Sequence, residues 1–500
     1  HPDAPGERVH RRHEADQATR RCRLRGPAQQ TVGHEGVEEG VGEDAVAGQV
    51  RVEVLQHQPP PDDAARGRRP ERRLGRTGGR VVKITDIEVI PLRLPYEERI
   101  RKQFHHFGMG GEEHTVYKFH TDNGLVGLGE NPGPPFEQAL LDPYLGTDPF
   151  DHIMSTGRFN LDMACYDLMG KHLGVPAWKL MGQQVRPWVS MGWWMPSMSP
   201  EDSATEVAEA AARGYRGLKC KARAFFDVVE QARAMQDAAP PDFRIEFDFN
   251  GALVNVERAL PILRELEKIP IVKGVEEPIF AHDVEGWRRL HAEIRIPFYL
   301  HGVGTVLDGP SRQPSGPWLG LRAGDYDGAL CSHEHIRNAL AASWCFAAAN
   351  TPILLQYVGT GITAAFALQL GAVMHTATLP GVPASHTYID DLIVAPHPVQ
   401  RGFMKVPGEP GLGVELDEDA ISRYRDEPAV EWPRHFSVVT LPGGIEHYYR
   451  DLGQTERLMK LGVDEPFAPG IRLTEREDDG SEAFDRIWNR LQEADWPIWD

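Results

Sequence analysis

The sequence predicts an α/β protein whose main body is a (β/α)8-type barrel, preceded by a smaller α+β domain. Two observations predict the barrel. Eight short apolar segments recur about every 25–30 residues, with room for one helix between most of them. They are Val189–Met195, Gly217–Ala222, Ile245–Asn250, Val272–Pro278, Ile296–His301, Gly328–Ser332, Ile353–Tyr357 and Ala384–Tyr388. Several also end in charged or metal-capable residues: Lys219 and Lys221, Asp248 and Asn250, Glu276, and His301. In such barrels chemistry sits at the C-terminal ends of the strands.

The elements follow in order. Lys83–Leu94 alternates and is rich in β-formers, so it reads as a strand. Thr115–Thr121 leads through Asp122-Asn123-Gly124 into Leu125–Glu130, the pattern of a hairpin. Arg99–Gly111 between them reads as a basic loop. Asn160–Gly174 is an amphipathic helix closed by its glycine. Together these make a domain over 82–185, of about a hundred residues. The barrel follows over 186–400. Its first helix starts at Ser199-Pro200, a cap followed by an N1 proline, and Asn255–Lys268 and His335–Ala349 are further helices. Gly402–Asp417 is loop-rich and is expected to return to the first domain, giving a return segment over 401–426. Beyond it, 427–500 shows only a short strand at Phe436–Leu441 and a helix near Ser481–Glu493, with no evident role.

The first eighty residues differ in kind. They hold no Lys, Ile, Phe, Tyr, Trp, Asn or Met, while Arg, Gly, Pro and Ala abound. Such a stretch buries too little apolar surface to offset its ordering entropy. The expectation is a disordered or non-native extension over 1–81, upstream DNA read through with the native start near Val81–Lys83. The 500 residues, 41 % of them hydrophobic, suffice for two or three domains. A net charge of −19 argues against nonspecific nucleic-acid binding. No apolar run is long enough to span a membrane. The five cysteines show no framework spacing, which points to a reducing, cytoplasmic setting.

Lys219-Cys220-Lys221 ends a strand, and period-2 geometry points both lysines to one face, the barrel interior. Two ammonium groups at that distance repel, which favours the neutral, basic form of one. Asp248 closes the next strand and Glu276 the one after. Oxygen ligands from separate strand ends suit a hard cation such as Mg2+. Each feature alone is ordinary strand-end polarity. Their succession on three strands is not.

At these residues the sequence resembles the enolase superfamily, in its mandelate racemase and muconate lactonising branch. The resemblance rests on GLKCKA at Gly217–Ala222, IEFDFNG at Ile245–Gly251 and VEEPI at Val275–Ile279. DMACYDLMGKHLGVPAWKLMG at Asp162–Gly182, VGTGITAAFALQLGA at Val358–Ala372 and PGLGVELD at Pro410–Asp417 extend it over most of Val82–Arg425. It implies a modified TIM barrel whose N-terminal domain is a cap. It also implies a Mg2+-dependent enzyme that removes the proton α to a substrate carboxylate, through an enolate. Asp248 and Glu276 fall on metal-ligand positions, Lys221 on the base, and Lys219 on the lysine that stabilises the carboxylate.

The chain also departs from the family. Where a third carboxylate ligand is expected it reads Ile296–Gly302, with His301 the nearest candidate; an imidazole there shifts preference towards other divalent ions. The family's opposite His–Asp pair is absent, with Gln356 at the histidine position and Ala329 at the aspartate. His386 or Tyr357 is then the candidate proton donor. His333, Glu334 and His335 read as solvation of a helix start. Asn250, Gln356, Tyr357, Trp193 and His105 are candidate substrate-binding residues. The expected function is dehydration of a hydroxy acid or acid sugar, with Lys219, Lys221 and His386 catalytic. The alternatives are a racemase, epimerase or cycloisomerase, and an inactive barrel acting as a binding protein. A small carboxylate substrate and a homo-oligomer are expected, with no nucleic-acid or membrane partner.

Overall fold

The computed structural model describes residues 82–106, 112–303, 320–321 and 323–499. The expectation for 1–81 lies outside the described residues. Strands β1 (Ile84–Arg93), β2 (Glu113–Thr121) and β3 (Val126–Asn131) form an antiparallel sheet in that order. The β2–β3 turn passes through Gly124 at φ +83°, a conformation that favours glycine. The basic stretch expected as a loop is, over its described part, helix α1 (Glu98–His106). Ile100 and Phe104, one turn apart, both point into the core, and that apolar pair sets the helix among its charges. Gly108, Gly110 and Gly111 give the stretch a loop-like composition.

Helix α2 (Phe159–Leu173) ends at Gly174 in the left-handed conformation, as its sequence predicts. It packs on β3 and on the chain's return segment. A Cβ at Gly170 would stand 2.6 Å from the Gly411 backbone, so only glycine permits that approach. Buried Asp167 accepts hydrogen bonds from the amides of Leu128 (3.0 Å) and Leu412 (2.8 Å), joining sheet, helix and return segment.

The barrel begins after a short strand, β4 (Trp188–Ser190). Seven parallel strands follow in sequence order: β5 (Trp193–Met195), β6 (Gly217–Lys221), β7 (Arg244–Asp248), β8 (Val272–Glu276), β9 (Phe298–Leu300), β10 (Gly328–Ser332) and β11 (Ile353–Gln356). The helices between them are α3 (Pro200–Ala212), α4 (Val228–Ala238), α5 (Val256–Leu266), α6 (Val284–Glu293) and α7 (Ile336–Ala348), with α8 (Gly361–Gly371) after β11. Ser199, Asn255 and His335 cap α3, α5 and α7 through their side chains.

The eighth strand position differs from expectation. Ala384–Tyr388 is not a strand but contains a 3₁₀ turn at Ser385–Thr387. The stave is instead Gly381–Val382, bridged to Met191 on one side and Gln356 on the other. Pro380 and Pro383 flank it and cannot donate ladder hydrogen bonds, which limits its pairing to those two residues.

After the barrel, β12 (Val399–Gln400) pairs with β13 (Phe403–Lys405) and β13 with β4, and α9 (Glu418–Arg425) packs against β1. The chain thus returns to the N-terminal sheet. The segment beyond it holds more structure than its sequence predicts. Strands β14 (His435–Leu441), β15 (Ile445–Tyr449), β16 (Arg472–Glu477) and β17 (Ile498–Trp499) make an antiparallel sheet, with α10 (Leu452–Lys460) and α11 (Glu482–Glu493). Phe436 and Val438 pack on Phe484 and Leu491 of α11. This module joins the barrel where the Phe467 amide donates to the Ala224 carbonyl (2.7 Å) and its ring meets Phe249. Its exposed, charged β16 and short β15 hide the alternation by which strands are recognised.

Candidate active site

Parallel register builds the site. Lys221 pairs with Asp248, and Asp248 with Glu276, so three strand ends deliver their side chains in one row. One row below, Lys219 pairs with Glu246. The Lys221 Nζ donates to Asp248 Oδ2 (2.5 Å) and to Asn250 Oδ1 (3.1 Å). Lys219 forms an ion pair with Glu276, lies 3.3 Å from Asp248 Oδ2, and donates to Gln356 Oε1 (2.8 Å). His301 Nδ1 is 2.7 Å from Glu276 Oε1. Of these eight residues sequence reasoning named all but Glu246, and the structure brings them together.

The charges divide. Asp248 and Glu276 are wholly buried and Lys219 almost so. Burial works against the charge of Lys219, yet Glu276, Asp248 and Glu246 outweigh it and raise its pKa. Burial likewise opposes the Asp248 carboxylate, and the two lysines overcome it, holding its pKa far down. Burial pushes Glu246 up to about 8 and Glu277 up to about 7, so near neutral pH both retain protons to a large extent. His301 is raised: burial opposes its charge, but the hydrogen bond and charge of Glu276 prevail. Each lysine pairs with a carboxylate, Lys221 with Asp248 and Lys219 with Glu276, and at Lys219 this acidic surround favours the charged form over the neutral form that lysine–lysine repulsion would favour.

Asp248, Glu276 and His301 each offer one ligand atom, all within 4.8 Å of one another. Two carboxylates and an imidazole on three successive strand ends fit a divalent cation. Above them a cavity of about 670 Å³ is lined by Lys221, Gln356, His333, Trp194, Tyr96 and Phe104, among others. The N-terminal domain supplies the last two and covers the barrel mouth. Its attachment is polar: buried Glu130 pairs with His114 and accepts from the amides of Thr360 (2.7 Å) and Thr363 (2.8 Å) at the start of α8.

Four of the expected residues stand elsewhere. His386 lies on the 3₁₀ turn, stacks on Trp193 (3.8 Å between centroids) and has Nε2 at 2.9 Å from the Trp194 carbonyl. It lines a different cavity, with Glu97 and Arg213, because strand alternation does not apply to that turn. Trp193 is fully buried, its Nε1 donating to Glu206 (2.8 Å). Its neighbour Trp194 takes the place in the cavity. Tyr357 is also fully buried, its hydroxyl donating to the Glu334 carbonyl (3.1 Å). His105 stacks on Trp432 of the C-terminal segment, 4.2 Å between centroids.

His333 is the residue whose expected role changes most. His335 caps α7 and Glu334 bonds Asn338, as helix-start solvation predicts, but His333 lines the cavity. Its Nε2 accepts from the Val358 amide (3.2 Å), and burial, then the charges of His301 and Lys219, lower its pKa to about 4. In strand order β10 stands four places from β6, so His333 and Lys221 face the cavity from opposite sides of the barrel. Its φ of +53°, a local departure that no sequence pattern announces, re-aims the chain at that point.

A family model described as Enolase C-terminal domain-like matches residues 202–420. A D-galactarolactone cycloisomerase of Agrobacterium fabrum (strain C58) is 25% identical over 355 residues, covering 62% of this chain and 91% of that protein. A D-galactonate dehydratase of Variovorax paradoxus (strain S110) is 28% identical over 310 residues, 55% of this chain and 75% of that one. Among solved structures, a mandelate racemase/muconate lactonizing family protein from Azoarcus sp. EbN1 superposes with a TM-score of 0.56. It is 24% identical and covers 69% of this chain and 98% of its own. The family match ends ahead of the C-terminal sheet.

Proposed function

For a chain that belongs to the enolase superfamily, in its mandelate racemase and muconate lactonising branch, we propose a metal-dependent lyase that dehydrates a hydroxy acid of the acid-sugar class. The observation that carries this reading is the row of Lys221, Asp248 and Glu276 with His301 beside Glu276, whose Lys221 lines the cavity that His333 lines from the opposite side. Asp248, Glu276 and His301 would hold the cation, Mg2+ or another divalent ion. When bound, it would supply positive charge for the substrate carboxylate and relieve Lys221 of its pairing with Asp248.

Lys219, kept charged by its buried carboxylates, binds and stabilises the substrate carboxylate as negative charge builds on it. Gln356 fixes the Lys219 ammonium by accepting its hydrogen bond, and is itself held by donating to Ser332 Oγ (3.1 Å). Lys221, the less buried lysine, takes the α-proton, with Asn250 orienting its Nζ. The departing β-hydroxyl needs a proton to leave as water, and the role given to His386 by sequence passes to His333. An anion in the cavity raises the low pKa of His333 towards the working range. Tyr96 and Phe104 close the cavity from the cap side, Phe104 stacking on Trp194 of the barrel, and limit the entry of water.

Purified chain incubated with Mg2+ and a panel of aldonic and aldaric acids tests this reading. The expected product is a 2-keto-3-deoxy acid, made by wild type and not by Lys221→Ala. A product that keeps its water but is inverted or cyclised at the α-carbon would support the isomerase reading instead. Binding of an acid with no chemistry on any member of the panel would point to a binding protein.

A further inference from the structure

A second cluster of metal-ligating side chains lies away from the barrel mouth, beyond the family match. His106 ends α1, His435 begins β14, and Glu475 lies on β16. Ser437 pairs with Glu475, which sets His435 and Glu475 diagonally on adjacent strands. One ligand atom from each of His106, His435 and Glu475 lies within 4.8 Å of the others. His106 Nε2 and Glu475 Oε2 are buried without a hydrogen-bond partner, and the His106 side chain is only 8% exposed. The other Glu475 oxygen accepts from Ser437 Oγ (2.7 Å), which fixes the carboxylate and leaves Oε2 for another partner.

We propose that His106, His435 and Glu475 bind a borderline divalent ion, Zn2+ by donor chemistry, that clamps the cap helix α1 to the C-terminal module. Two imidazoles and one carboxylate are a recognised zinc set, with a fourth position for water, whereas Mg2+ prefers an all-oxygen shell. Buried acceptors without donors are costly, and a cation is the ligand that satisfies several at once. His105 stands beside the group, its own Nε2 buried without a partner and its ring 4.9 Å from His435. The ion would fix the helix that carries Phe104 over the substrate cavity.

Co2+ substitution and zinc analysis of the full chain test the clamp. The double variant Asp248→Asn/Glu276→Gln silences the barrel site and is expected to retain one Zn2+ per chain. Its Co2+ form is expected to show visible d–d bands of low-symmetry, nitrogen-containing coordination. Adding His435→Gln, or separately Glu475→Gln, should abolish those bands and lower bound Zn2+ by one per chain. Circular dichroism of these isosteric variants checks that the module is still folded. Zinc content that is unchanged by either substitution, or a barrel-silenced chain that binds no Zn2+, would overturn the proposal. Neither result bears on the barrel site, because turnover with Mg2+ is measured separately.

Discussion

Lys219 and Lys221 stand two residues apart on one strand yet meet different surroundings, and their roles follow from that. Lys219 is 2% exposed and pinned between Glu276, Asp248 and Gln356; Lys221 reaches the cavity. Replacing Lys221 by Ala is expected to lower kcat by about 10²–10⁴-fold, the usual contribution of a positioned base. Replacing Lys219 by Ala should raise KM as well, given the carboxylate-binding role proposed for it; steady-state kinetics separates the two. Glu246 makes a prediction about pH. Its native pKa, pushed up by burial to about 8, exceeds the ordinary 4.5, so between those values the folded state binds a proton that the unfolded state has lost. Stability therefore falls as pH rises through that window. Denaturant titration of the metal-free chain should show the decline in wild type and its reduction in Glu246→Gln. The lysines, Asp248 and Glu276 were legible because strand alternation and parallel register act on them directly. Glu246 obeys the same alternation, two residues before Asp248, and was overlooked inside an apolar run. His386 and Tyr357 misled for the opposite reason: polar residues near a strand end, whose directions depend on a turn and on a buried hydroxyl contact.

At the level of elements, seven barrel strands could be read from spacing because each is short and apolar and recurs at a regular interval. The eighth could not, since Gly381–Val382 is held by two bridges between prolines and carries no pattern of its own. The cap's attachment is equally invisible to periodicity. Glu130 on β3 meets His114 and the first turn of α8, where an anion is favoured by free amides. Burial opposes its ionisation, but His114 and the hydrogen bonds of Thr363 and Thr360 outweigh that and lower its pKa. A depressed carboxylate contributes stability that is present above its ordinary value, near 4.5, and is lost as pH falls through the folded-state value. Glu130→Ala should cost about 3–5 kcal/mol by stranding those partners. Thermal melts at neutral pH check the size, and acid melts should show that the variant has lost part of the wild-type pH dependence.

As a whole, the described chain is a cap and barrel sharing one continuous core, with a C-terminal sheet added beside them. The sheet is tied to the barrel through Phe467, buried against Phe249 just beyond strand β7, and through the Arg472–Glu230 ion pair. Phe467→Ala should destabilise the chain by about 3–5 kcal/mol, the cost of a large cavity, and a denaturant titration would show it. Composition gave no warning of this module: its strands are short, charged and half exposed, and its small core depends on contacts that only the fold supplies.

The most direct test of the central claim is exchange of the α-proton with solvent. An acid that binds the chain is incubated in D2O with Mg2+ and followed by proton NMR. Deuterium at the α-carbon, or a product derived from its loss, is predicted with wild type and is predicted to vanish in Lys221→Ala and after chelation of the metal. Exchange that proceeds unchanged in Lys221→Ala would contradict the account.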